Sequence, residues 1–86
     1  MTDIHPIQLH AQPYEVKLYL NGGSYHLIFG RQINGWFLCI PNRRIGVELA
    51  HPSDQFWNQG SLKEAGMTTD EASTIAYVLK ELSQYI

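Results

Sequence analysis

One cysteine in 86 residues is too few for an intrachain disulfide, and the composition fits a reducing cytoplasm. No apolar stretch approaches the ~20 residues needed to cross a bilayer, and no apolar segment follows a basic start. Neither membrane insertion nor secretion is therefore expected. Positive charge is also scarce: six Lys and Arg against eight Asp and Glu leave a formal net charge of −2. That balance exerts no general pull on a phosphate backbone, and Arg43 and Arg44 form the one concentrated basic spot. The glycines fall near strand ends rather than between a strand and a helix, so no phosphate-binding loop is present. No cofactor signature occurs, and none is expected to bind.

What is present is a folded composition, 44% hydrophobic with 12% aromatic residues. There is room for a single domain that buries perhaps ~60% of its unfolded surface, which makes oligomerisation an expected source of added stability. Residues 1–12 mix Pro6 with His5 and His10 without a clear period, and read as an extended arm preceding one α+β domain over 13–86.

Within that domain the pattern predicts a four-stranded antiparallel meander, then a short helix, then a C-terminal amphipathic helix packed on one sheet face. Tyr14, Val16, Leu18 and Leu20 alternate with Glu15, Lys17 and Tyr19, the period of a half-buried strand. Asn21-Gly22-Gly23 tolerates the positive φ of a tight hairpin. In the second strand Tyr25, Leu27 and Phe29 oppose His26 and Ile28. Trp36 to Ile40 is apolar on both faces, and the expected phase sends Phe37 and Cys39 inward and Trp36, Leu38 and Ile40 outward. Pro41 ends this strand, and Ile45, Val47 and Leu49 mark a fourth.

Ser53 or Asp54 can cap a short helix ending near Gly60, with Phe56 and Trp57 expected to pin it to the sheet. Thr68 and Glu71 have capping-box spacing, and Ala72, Ile75, Ala76, Leu79, Leu82 and Ile86 then recur as one helical stripe.

Candidate chemistry is thin. Cys39 with His51 has the residue types of a thiolate and its base, yet Cys39 lies inside FLCI, where a small buried hydrophobe is the simpler reading. His5, His10, His26 and His51 fit no compact metal-ligand spacing, so no metal site is expected. The stronger expectation is an interface. One helical layer covers one face, leaving Tyr19, Ile28, Trp36, Leu38 and Ile40 for a partner surface rimmed by Arg43 and Arg44, with a homodimer as the economical outcome.

The segments GWFLCIPN (35–42) and ELAHPSDQFWN (48–58) resemble those of small uncharacterised proteins of Gram-positive mobile elements and prophages. The resemblance implies an accessory protein, with anti-defence inhibitors such as anti-CRISPR proteins as the nearest functional type. It carries no catalytic residues. The resulting expectation is a small non-enzymatic, protein-binding inhibitor that occludes a host protein. The alternative is a nucleic-acid-binding regulator using Arg43, Arg44 and sheet aromatics, and behind it a cysteine-dependent enzyme.

Overall fold

Short connections between alternating segments leave an antiparallel sheet little choice but to form in chain order, and it does. The computed structural model describes residues 13–20 and 22–85. Strands β1 (Tyr14–Leu20), β2 (Gly23–Gln32), β3 (Gly35–Ile40) and β4 (Ile45–Leu49) form one sheet in the order β1-β2-β3-β4, followed by helices α1 (Gln55–Glu64) and α2 (Thr69–Leu82). The expected α+β architecture is thus the one observed. The arm expected over residues 1–12 lies outside the described residues.

The pairing register corrects the expected phase of β3. β2 runs on to Gln32, which pairs with Gly35 across a two-residue connection, so Phe29 stands opposite Leu38 and Arg31 opposite Trp36. Directly paired residues share a face, and a shift of one position inverts a whole strand. Trp36, Leu38 and Ile40 therefore join Tyr25, Leu27, Phe29 and Leu49 beneath the helices. All three are buried, Leu38 and Ile40 completely, and they are core rather than interface. The opposite face carries Glu15, Lys17, Tyr19, Ser24 and His26, with Ile28 half-buried among them. It is predominantly polar there, not the apolar surface expected.

Phe37 and Cys39 consequently face away from the helices. Phe37 is nevertheless buried, and its pairing partner explains how: Gly30 has no side chain, and a Cβ built there would lie 3.1 Å from Phe37 Cε1. The aromatic ring occupies the space a larger residue would fill.

The α2 stripe buries Ala72, Ile75, Ala76 and Leu79 as expected, with Leu82 packed at its margin. Its capping box is complete, Glu71 N–H donating to Thr68 Oγ1 at 3.1 Å and Thr68 N–H to Glu71 Oε1 at 2.9 Å. A 3-10 turn over Ser83–Tyr85 follows the helix, and Ile86 lies outside the described residues.

Helix α1 is longer than expected. It passes through Gly60 and stops at Glu64, where Gly66 adopts φ +110 and the Met67 N–H donates to the Leu62 carbonyl at 3.1 Å, while Gly66 N–H reaches Lys63. This crossed pair of bonds is a Schellman stop, and the apolar contact that goes with it is the buried Leu62 and Met67.

Candidate functional site

Asp54 starts α1 by accepting from the Trp57 N–H at 3.1 Å, which fixes where the helix begins. Asn58 and Leu62, four residues apart, then point inward and are fully buried. Asn58 Nδ2 donates to the His51 carbonyl at 2.8 Å, tying the helix to the segment that leaves β4; among the described residues its Oδ1 has no hydrogen-bond partner. The same rotation turns Phe56 and Trp57 outward. They are 90% and 57% exposed and do not pin the helix; Leu62, Asn58 and Pro52 occupy the buried positions instead. Their aromatic character points to docking, but the buried Asn58 and Leu62 set the phase of the helix.

Trp57 also lines a shallow groove of about 350 Å³ between α1 and β4, with Val47, Ser61, Glu64 and Ala65. A second hollow of about 260 Å³ lies on the other side of β4, lined by Gln32, Phe37, Cys39 and Glu48 among others. Among the described residues the last strand of the sheet is thus flanked by a hollow on each side.

The basic pair expected to meet a partner divides. The Arg43 guanidinium lies 4.2 Å from the centre of the Tyr25 ring and its Nη2 is 3.4 Å from the Ser24 carbonyl, so it ties the β3–β4 connection to β2. Arg44 is exposed and sits at φ 57, where its N–H donates to Pro41. Tyr25 in turn donates its hydroxyl proton to Glu71. That hydrogen bond, followed by the one from the Thr68 N–H, holds the Glu71 carboxyl below its ordinary value, and the same contact together with burial raises the Tyr25 hydroxyl.

Cys39 and His51 are not brought together. Cys39 projects from the face away from the helices, whereas the His51 ring meets Trp36 of the core face edge-on at 5.6 Å and shares a 2.8 Å hydrogen bond with Ser53. His26 Nε2 is 2.9 Å from Glu15 Oε1, a cross-strand contact on the polar face. Among the described residues no three His, Cys, Asp or Glu side chains converge as a metal site would require, and His5 and His10 lie outside them. No described helix is long and apolar enough to cross a membrane.

The chain belongs to a family of unknown function, DUF6618, whose sequence profile matches residues 1–86. No curated protein and no solved structure matches it.

Proposed function

We propose that this protein is a non-enzymatic, protein-binding module that acts by stoichiometric contact, with the outward flank of α1 as its contact surface. The observation that carries this reading is Phe56, 90% exposed on a helix that is capped and docked without it. A polar residue would serve the fold equally well at that position. Aromatic side chains held in water beside a second aromatic are the usual anchors of protein interfaces, because each offers a large apolar area at small conformational cost. Helical spacing puts Gln59, Gly60 and Lys63 on the Phe56 stripe, a polar surround for an apolar centre.

Charge favours protein over nucleic acid. Asp54 and Glu64 border the flank and Arg43 is engaged with Tyr25, and among the described residues Arg44 has no salt-bridge partner. Phe56 and Trp57 lie within ELAHPSDQFWN, one of the two segments that resemble mobile-element proteins. The proposal therefore includes a host protein, such as a defence effector, as the target to be occluded.

The test is a comparison of the wild-type protein with Phe56→Ser. The substitution should leave the melting transition in place, since an exposed site is worth no more than ~0.5 kcal/mol. It should abolish one-to-one recovery of a partner from the native host. Equal recovery by both proteins would refute the reading.

A further inference from the structure

The two edges of the sheet are not alike. β1 is entered through Pro13 and carries Glu15 and Lys17, features that discourage strand addition. β4, Ile45-Gly46-Val47-Glu48-Leu49, has no proline, lysine or bulge, and among the described residues a Cβ placed on Gly46 would meet nothing within 4 Å. Among the described residues no strand pairs with its outer side.

The register fixes which backbone groups that side presents. Gln32 and Gly35 close a two-residue hairpin and so exchange hydrogen bonds, which directs Gly35, Phe37 and Cys39 toward β2 and Trp36, Leu38 and Ile40 toward β4. Their partners Leu49, Val47 and Ile45 bond inward. The N–H and C=O groups of Gly46 and Glu48 point out.

We infer that this edge pairs with the same edge of a second copy of the chain, antiparallel about a two-fold axis through Val47. In that register Gly46 faces Glu48 of the second copy, and the reverse, so both outward residues of each strand exchange their bonds. The Glu48 side chain enters the space over the opposing Gly46, where a Cβ would meet nothing within 4 Å among the described residues, and the two Glu48 side chains stand diagonal to each other rather than opposed. Alternative registers are worse. Centring on Glu48 opposes two carboxylates, and centring on Gly46 requires an N–H from Arg44 that the turn already uses to reach Pro41. The self-complementary pairing of Gly46 with Glu48 about Val47 is what selects a second copy over an unrelated strand. The seam runs along the groove lined by Trp57 and leaves Phe56, which does not line it, outside on both copies.

The pairing sets the two Val47 residues directly opposite in a non-hydrogen-bonded pair, ~4.5 Å between Cα atoms, whereas the two Glu48 residues stand beyond disulfide reach, more than ~7 Å apart. Val47→Cys in a Cys39→Ser background should therefore form a disulfide-linked dimer under mild oxidation, and Glu48→Cys in the same background should not. Gly46→Pro deletes one outward N–H and leaves the bonds to β3 intact. By sedimentation at about 100 µM, it should halve the mass of a wild type that runs at twice 9.8 kDa. A monomeric wild type, equal cross-linking at positions 47 and 48, or a dimer unaffected by Gly46→Pro would each overturn the inference.

Discussion

Tyr25 and Glu71, 46 positions apart, join the sheet to the start of α2 through a hydroxyl-to-carboxylate hydrogen bond. Glu71 thereby does two things at once: one oxygen closes the capping box at Thr68 and the other receives Tyr25. Arg43 lies over the face of the same ring. Turn, strand and helix are thus linked through three side chains.

The acid and alkaline limits of stability follow from that link. Glu71 is held below its ordinary 4.5, so its contribution is complete above pH 4.5 and is lost as pH falls through its lowered folded value. Tyr25 is raised above 10, so its contribution is complete below pH 10 and is lost as pH rises through the raised value. Glu71→Gln should flatten the acid limb of a pH series of urea midpoints, and Tyr25→Phe the alkaline limb. Near neutral pH, Tyr25→Phe should cost about 1.5 kcal/mol, the lower end for a hydrogen bond to a charged group.

Core substitutions separate the observed face assignment from its inverse. Leu38 and Leu79 are fully buried on opposing layers, and either changed to Ala should cost ~2–5 kcal/mol in denaturant unfolding. Trp36→Glu should prevent folding rather than yield a folded monomer, because the carboxylate would be placed beneath the helices. A well-folded Trp36→Glu protein would mean that β3 is inverted.

Gly30 and Phe37 should be thermodynamically coupled. Gly30→Val would push the Phe37 ring off its seat and should cost ~1–3 kcal/mol. In a Phe37→Ala background the same change should cost at least about 1 kcal/mol less. Additive effects in the double-mutant cycle would show that the ring does not rest on the glycine.

The two ends of the helical layer carry separable contributions. Thr68→Ala should lose about 1 kcal/mol from the cap of α2. Gly66→Ala should lose a similar ~1 kcal/mol, because φ +110 strains any residue with a Cβ. Thermal or chemical denaturation reads both.

The α2 helix was legible from sequence because cap, stripe and solvent face agree, each independently selecting the same residues. Strands β1, β2 and β4 were legible from alternation. β3 was not: Trp36-Phe37-Leu38-Cys39-Ile40 is apolar throughout, and a run without alternation has no phase of its own. The length of the β2–β3 turn sets it, and β2 continues to Gln32, leaving only two residues before Gly35. Phe56 and Trp57 failed for a related reason, since hydrophobicity points inward only when a docking surface lies in that direction. The available signal was Asp54, three residues before Trp57, together with the inward spacing of Asn58 and Leu62.

The exposed flank of α1 is tested most directly by photo-cross-linking in the native host, with benzoylphenylalanine placed at position 56 and, as a control, at the exposed Tyr77 on α2. The account predicts a single one-to-one adduct with another protein from position 56 and none from position 77. Adducts from position 77 alone, or none from position 56 while the protein remains folded, would contradict it.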